Sequence, residues 1–281
     1  MTTGLILEGG GMRGLFTAGV IDYFLDEGFA FNHVIGVSAG ACHACSYLCG
    51  QRGRAYATNT DYINNKEYCS YYSLRKTGDL FGAEFVYHRI PEELYPIDND
   101  YFRQSDVHFQ VAVTNCKTGK AEYPQIKDMF KDVEYVRASS SLPFFANMVE
   151  MEGQLYMDGG IADSIPIMQS VRQGNEKNVI ILTQPRDYQK KPTKSVALAA
   201  LKYKQYPNLV KALARRHRVY NDTLNYIKEL EADGKAFVIA PMGPLDIGRI
   251  EKDIRKMDKA YYEGYFVTEA LSKKLRAFLD E

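Results

Sequence analysis

The 281-residue sequence has no net charge, no long apolar run and few cysteines. Its 35 basic residues balance 35 acidic ones, so the field of the whole molecule does not favour nucleic acid or another polyanion as a partner. No run of about 18 apolar residues occurs, and the opening MTTG lacks the basic and apolar segments of a signal peptide. These absences predict a soluble, cytoplasmic protein.

The five cysteines, an odd number, fit a reducing compartment better than a disulfide framework. Cys42, Cys45 and Cys49, together with His43, resemble a metal cluster, but their spacing also places three small apolar side chains on one helix face. A closed zinc site needs four ligands, and no second Cys/His pair follows. We therefore predict a buried helix face here, with no metal.

Short apolar strands alternate with helical segments along most of the chain. The predicted strands are residues 5–7, 34–36, 107–114, 154–157, 179–183 and 237–240. The predicted helical regions are residues 15–27, 39–49, about 207–234 and 249–278. This alternation predicts an α/β fold of three layers, with a mostly parallel sheet between helices. Residues 51–106 are polar, tyrosine-rich and interrupted by Gly and Pro, and are predicted to leave the sheet as a cap.

The glycine-rich stretch LILEGGGMRG follows the first strand and precedes a helix. Its Gly9-x-Gly11-x-x-Gly14 spacing is typical of a dinucleotide-binding loop, which also needs an acidic residue about 20 positions later, at the end of the second strand. That strand ends instead in GVS. The second interpretation is that the side-chain-free N–H groups of this loop stabilise an oxyanion. A nucleotide-binding oxidoreductase stays open as an alternative at this point.

The pentapeptide GVSAG, residues 36–40, lies between an apolar strand and an apolar helix. This is the context of a nucleophile elbow, in which a tight turn lifts the serine hydroxyl of Ser38 above the sheet. Helix N-capping by the same serine is the alternative.

A nucleophilic serine needs a base. The histidines are His33, His43, His88, His108 and His217. Only His217 lies downstream of a plausible acid, as the order Ser, Asp, His requires, and three arginines within two residues of it disfavour the imidazolium that it would become.

The aspartate of YMDGG, Asp158, is the better candidate for the base. It ends a predicted strand, and the two glycines after it allow a sharp turn and close approach to another loop. A carboxylate in hydrogen-bond reach of the Ser38 hydroxyl can accept its proton directly. The alternative is a turn aspartate that accepts hydrogen bonds from nearby backbone amides.

Together, EGGGMRG, GVSAG and DGG resemble, in order, three motifs of the patatin-like phospholipase family. The resemblance implies a patatin-like three-layer fold and a phospholipase A or lysophospholipase-like carboxylic ester hydrolase that uses no cofactor. It implies Ser38 as the nucleophile and Asp158 as the base of a Ser–Asp dyad. The implied oxyanion hole is Gly9, Gly10, Gly11 and Arg13.

The resemblance covers about residues 4–183. We predict a catalytic domain over 1–185, including the cap, and a helical C-terminal region over 186–281 packed on it, about which the resemblance says little. The segment RASSSLPFF, residues 137–145, also resembles bacterial members. Its candidate acyl-pocket residues, with an ordinary core role as the alternative, are Pro143, Phe144 and Phe145.

Residues 186–218 contain ten Lys and Arg against the single Asp187, a local net charge of +9. This segment is a candidate for peripheral contact with an anionic membrane surface, although charged stretches are usually solvated helix faces. No aromatic stacking platform accompanies the charge, which argues against nucleic acid. The expected partner is a lipid or acyl-ester substrate. A catalytically silent lipid-binding or regulatory protein is the remaining alternative.

Overall fold

The computed structural model describes residues 2–280. The β-strands are β1 (Thr3–Leu7), β2 (His33–Gly36), β3 (His108–Val111), β4 (Val113–Asn115), β5 (Ala121–Glu122), β6 (Gln125–Ile126), β7 (Val149–Met151), β8 (Gln154–Asp158), β9 (Lys177–Ile181) and β10 (Ala236–Ile239). The α-helices are α1 (Leu15–Glu27), α2 (Ala39–Leu48), α3 (Arg54–Thr60), α4 (Tyr71–Thr77), α5 (Asn99–Arg103), α6 (Val133–Ser139), α7 (Ile167–Arg172), α8 (Val196–Lys202), α9 (Pro207–Ala232) and α10 (Ile254–Asp280). Short 3₁₀ turns cover Gly11–Gly14 and Gly159–Ile161, and a π-helix covers Phe85–Leu94.

A six-stranded sheet forms the centre, in the order β10-β9-β1-β2-β3-β6. All of its neighbouring strands pair in parallel except β3 and β6, which are antiparallel. Leu5 and Leu7 of β1 point to one face, where they pack with α1, α2 and α10, while Ile6 points to the other face and packs with α9. Burial on both faces explains why β1 is a continuous apolar run rather than an alternating one. The predicted three-layer architecture with C-terminal helices is therefore confirmed.

A smaller antiparallel sheet, in the order β5-β4-β8-β7, branches from the edge of the central one. The chain passes from β3 of one sheet to β4 of the other at Ala112, whose N–H donates to the carbonyl of Gly36. In the second sheet Val113 lies opposite Asp158, the last residue of β8. The branch point thus brings the end of β8 beside the end of β2.

Residues 51–106 carry α3, α4, the π-helix and α5, and within the described chain they contribute no strand to either sheet. The C-terminal part adds β10 to the edge of the central sheet, and its helices α9 and α10 cover opposite faces. The division at residue 185 remains a prediction.

Candidate active site

Ser38 stands at a sharp turn between β2 and α2, with φ 54° and ψ −124°. This is a backbone conformation that L-residues rarely adopt, and holding it costs about 1–3 kcal/mol. Ser38 occupies the N-cap position of α2, but its hydroxyl makes no capping hydrogen bond to any described residue. The capping interpretation is therefore wrong for the side chain, which stays available for another partner.

The turn is compact because there is no room beside it for larger residues. A Cβ atom on Gly36 would lie 2.5 Å from Cα of Ala41, and one on Gly40 would lie 2.4 Å from the carbonyl oxygen of Leu7. The flanking glycines of GVSAG are thus required by close packing of the elbow on β1 and α2.

Asp158 is almost completely buried, with 2% of its surface exposed. Its Oδ1 accepts a 2.7 Å hydrogen bond from the N–H of Gly160, so the turn-capping interpretation holds for this oxygen. Its Oδ2 is buried and receives no hydrogen bond of regular geometry from residues 2–280. Oδ1 therefore fixes the carboxylate in its turn, and Oδ2 is free to accept a hydrogen bond or a proton from another group.

Burial raises the pKa of the Asp158 carboxyl above its ordinary value. The positive charge of Arg216, followed by interaction with the Ser38 hydroxyl and the Gly160 amide, opposes this shift and favours the carboxylate. Ser38 and Asp158, 120 positions apart in sequence, therefore lie close enough to interact.

Ser139 connects the elbow to the branch point of the sheets. Its Oγ accepts a 2.9 Å hydrogen bond from the N–H of Ser38 and donates a 2.7 Å hydrogen bond to the carbonyl of Ala112. Two residues further on, the carbonyl of Ser141 accepts a hydrogen bond from the N–H of Asp158. The end of α6 thus holds both candidate residues in place. The sequence did not single out Ser139, because three consecutive serines give no sign of which one is buried.

The glycine loop lies directly against the elbow: a Cβ on Gly9 would be 2.9 Å from Cβ of Ser38. No backbone carbonyl of the described chain accepts a hydrogen bond from the N–H groups of Gly9, Gly10 or Gly11. The next amide, that of Met12, donates to the carbonyl of Arg249. The loop that contacts the serine therefore carries three consecutive glycine N–H groups that donate to no backbone carbonyl of the described residues.

Arg13, in the same motif, is not among the residues that line the cavity described below. Its charge interacts with Arg249, Glu8 and two tyrosines, and its Nε is buried without a hydrogen-bond partner in the part of the chain that the structure describes. Burial, and next Arg249, lower the pKa of its guanidinium.

A cavity of about 140 Å³ opens beside Ser38. It is mostly apolar, and one wall comes from the predicted cap, including the π-helix. Its lining includes Ala39, Cys42, His43, Tyr68, Phe81, Val86, Tyr87, Ile90, Val136 and Leu142. The expected wall residues Pro143, Phe144 and Phe145 do not line it. Phe144 packs instead on Tyr203, with ring centroids 5.7 Å apart, and Phe145 is 39% exposed.

The histidines and cysteines near the site are buried or half-buried and do not form a metal site within the described residues. His43 is buried in the cavity wall, which lowers its pKa to about 4 and leaves it uncharged at neutral pH. Nδ1 of His217 is buried in α9 and unpaired among residues 2–280. Cys45 and Cys49 are buried and Cys42 is half-buried, as a helix face turned to the core requires. Within the described residues no three His, Cys, Asp or Glu side chains converge as metal ligands.

The fold and cavity define an α/β protein with an apolar cavity at the carboxyl edge of its parallel sheet, where ligands of such folds commonly bind. The patatin-like phospholipase family model matches residues 5–171, and the chain belongs to this family. The resemblance inferred from the three motifs is thereby confirmed. Residues 206–280 match a second model, a domain of unknown function (DUF6363).

Named relatives extend over different parts of the chain. It is 29% identical over 248 residues to the uncharacterized protein YjjU of Escherichia coli K12, covering 86% of this chain and 69% of YjjU. It is 21% identical to the probable lipid hydrolase 463L of Invertebrate iridescent virus 6, over 62% of this chain and 65% of that protein. Lysophospholipase NTE1 of Cryptococcus neoformans is 26% identical over 66% of this chain, which spans only 12% of NTE1. The crystal structure of VipD from Legionella pneumophila aligns with 97% of this chain and 67% of its own, at 13% identity and a TM-score of 0.48.

Proposed function

We propose that this protein is a lipid acyl hydrolase that cleaves carboxylic esters with a Ser38–Asp158 dyad, as a phospholipase A or lysophospholipase does. The main support is a buried carboxylate with one unbonded oxygen beside a serine in a strained elbow. Family membership and the name of a relative, a lysophospholipase, support the same class of substrate.

The proposed reaction begins when the Ser38 Oγ attacks the ester carbonyl carbon and its proton passes to Asp158. The carbonyl oxygen becomes an oxyanion facing the amides of Gly9, Gly10 and Gly11, each of which contributes about 3 kcal/mol of stabilisation if well aligned. In this proposal Arg13 supports the same loop. The C–O bond to the alcohol then breaks, and the alcohol leaves with the proton from Asp158.

An acyl group remains on Ser38 after this step. Asp158 then takes a proton from water, whose oxygen attacks the acyl carbon, and the proton returns to Ser38 as the free acid leaves. The acyl chain lies in the apolar cavity, where each buried methylene contributes about 0.8 kcal/mol. The raised pKa of Asp158 suits a group that must both accept and return a proton.

Peripheral membrane contact through residues 186–218 is part of the same proposal. Helix α8 leaves Leu198 57% exposed and Leu201 73% exposed, and Lys194 and Lys204 beside it are exposed as well. Apolar side chains flanked by lysines are typical of surfaces that lie on anionic lipid. No helix within residues 2–280 is long and apolar enough to cross a bilayer.

The test combines a fluorophosphonate probe with a panel of acyl esters read by mass spectrometry. Ser38→Ala should lose labelling and hydrolysis, and Asp158→Asn should lose hydrolysis while its circular dichroism stays that of the wild type. Asp163→Asn is the matched control for the second variant, because Asp163 is another carboxyl near β8 whose pKa burial raises. Hydrolysis by Ser38→Ala near the wild-type rate would overturn the proposal, and a wild type that shows neither labelling nor hydrolysis would favour a silent lipid-binding protein.

A further inference from the structure

Four cationic residues lie around the glycine loop and the turn after Asp158, outside the lining of the apolar cavity. Arg13 follows the glycine loop, Lys190 follows β9, Arg216 is on α9 and Arg249 is in the segment between β10 and α10. We call them the cation cluster. They lie close enough for their charges to interact, because Arg249 lowers the pKa of each of the other three. None of the four is among the residues described above as lining the cavity.

The charge of the cation cluster is not balanced by carboxylates. Within residues 2–280, none of the four side chains has a carboxylate oxygen within 4.0 Å. The acidic groups whose charge the cluster experiences are Glu8 and Asp158. The Glu8 oxygens already accept hydrogen bonds from Thr183 and Tyr220. When Lys190 is protonated, two of the four positive charges therefore remain uncompensated.

Three residues of the cluster are half-buried and Arg249 is exposed, and contacts with neighbouring elements fix part of the arrangement. The backbone of Lys190 is joined to Asn221 of α9 by two hydrogen bonds, and its ammonium lies 4.0 Å from the ring centroid of Tyr220. Nε of Arg216 donates to the carbonyl of Gly160, two residues after Asp158. The carbonyl of Arg249 accepts from Met12, which ties its segment to the glycine loop.

Assembling these like charges has an energetic cost in the absence of an anion. Burial and the neighbouring cations lower the pKa of Lys190 to about 7, so its charge is only partly retained at neutral pH. Nε of Arg13 is buried without a hydrogen-bond partner in the described chain. An anion with several acceptor oxygens would offset the repulsion and supply acceptors for these donors.

We propose that the cation cluster is a phosphate subsite, and that the preferred substrate is a glycerolipid whose headgroup is a phosphate monoester. This rests on the proposed function: the apolar cavity beside Ser38 takes the acyl chain, and the cations beside the turn after Asp158 take the alcohol portion. A doubly charged phosphate matches the two uncompensated charges. A choline or ethanolamine headgroup would instead add a positive charge to the cluster, and it would need a free carboxylate or an open aromatic ring. The Glu8 oxygens already accept hydrogen bonds, and Lys190 covers the Tyr220 ring.

The first arm of the test compares three short-chain substrates below their micellar concentration: dihexanoyl phosphatidic acid, dihexanoyl phosphatidylcholine and dihexanoylglycerol. Monomeric substrates remove any contribution from membrane attraction to surface lysines. The wild type should prefer the phosphate monoester. Arg249→Gln and Lys190→Gln should each lower the kcat/KM ratio of monoester to neutral lipid about tenfold or more, the loss of one charge-assisted hydrogen bond. Arg215→Gln and Lys191→Gln, at exposed neighbouring positions, are the matched controls and should leave the ratio unchanged.

The second arm needs no catalysis and uses inorganic phosphate as the probe. Phosphate should raise the melting temperature of the wild type and of Ser38→Ala, but not that of the Arg249→Gln, Lys190→Gln double variant. Phosphate binding without substrate preference would overturn the headgroup assignment and indicate a free anion as ligand. Absence of phosphate binding in an active enzyme would overturn the subsite while leaving the proposed esterase intact, and phosphate binding in a protein that hydrolyses no ester would overturn the esterase alone.

Discussion

Replacing Ser139 with alanine should loosen the nucleophile elbow while leaving the nucleophile itself unchanged. Ser139 is completely buried, and its hydroxyl is the hydrogen-bond partner of both the Ser38 N–H and the Ala112 carbonyl. Alanine removes both partners without opening a path for water. Because each buried group left unpaired costs about 1–3 kcal/mol, the free energy of unfolding should fall by at least about 2 kcal/mol.

The same change should lower kcat more than it raises KM. The hydrogen bond from Ser38 to Ser139 helps to hold a backbone conformation that costs about 1–3 kcal/mol, so without it the turn relaxes and the hydroxyl moves relative to Asp158. A displacement of about 1 Å of a reacting group lowers a rate about a hundredfold. We therefore expect kcat for a soluble acyl ester to fall between about tenfold and a hundredfold, with KM changed little because the cavity is intact.

The free energy of unfolding of the Ser139 variant is measured by urea unfolding followed by circular dichroism, since the chain has no tryptophan for fluorescence. Ser141→Ala is the matched control: its buried hydroxyl donates only to the Arg137 carbonyl, and the backbone bond from Asp158 to Ser141 is unaffected. It should lose stability but keep kcat. Equal kcat values for the two variants, measured where both are folded, would refute the positioning role of Ser139.

Three further predictions concern the carboxyl, the cavity and the core. Burial makes the pKa of Asp158 higher in the folded than in the unfolded chain. The ionised carboxylate therefore destabilises the folded state at neutral pH. This destabilisation disappears when the pH falls below the pKa of an aspartate in the unfolded chain, about 4. Asp158→Asn should therefore have a higher melting temperature than the wild type at neutral pH, and the difference should become smaller in melting scans at pH values closer to about 4. A difference in melting temperature that does not change with pH would contradict the pKa shift. Ile90→Phe should reduce the cavity and lower kcat/KM for long acyl chains more than for acetyl esters, as a chain-length series of chromogenic esters would reveal. Tyr220→Phe should reduce the free energy of unfolding in urea by about 1.5–3 kcal/mol, because a buried 2.8 Å hydrogen bond to Glu8 is lost, and an unchanged midpoint would show that Glu8 is satisfied without it.

Local patterns were sufficient for most of the predicted elements and for the order of the motifs, but the single strand predicted over 107–114 is wrong: it is divided at Ala112 into β3 and β4, which belong to different sheets. The strand Leu5–Leu7 is recognisable because a sheet covered on both faces requires apolar residues at every position. The elbow is recognisable because only small residues fit on both sides of Ser38. The same local patterns could not decide whether Ser38 caps a helix or whether Asp158 serves only its own turn, since both interpretations begin from identical sequences.

Only the convergence of distant segments bears on those questions. Asp158 lies near Ser38 because the chain changes sheets at Ala112 and β8 returns beside β4, a long-range pairing that no short motif encodes. The contacts of Ser139 with the elbow and of Arg216 with Gly160 exist only in the folded chain. In the sequence the two residues look like part of an ordinary turn and part of an ordinary basic helix face. The sequence by itself determined which residues can carry charge or lose a proton. The tertiary structure determined which of them are buried together, and burial is what shifts a pKa and leaves a hydrogen-bonding group without a partner.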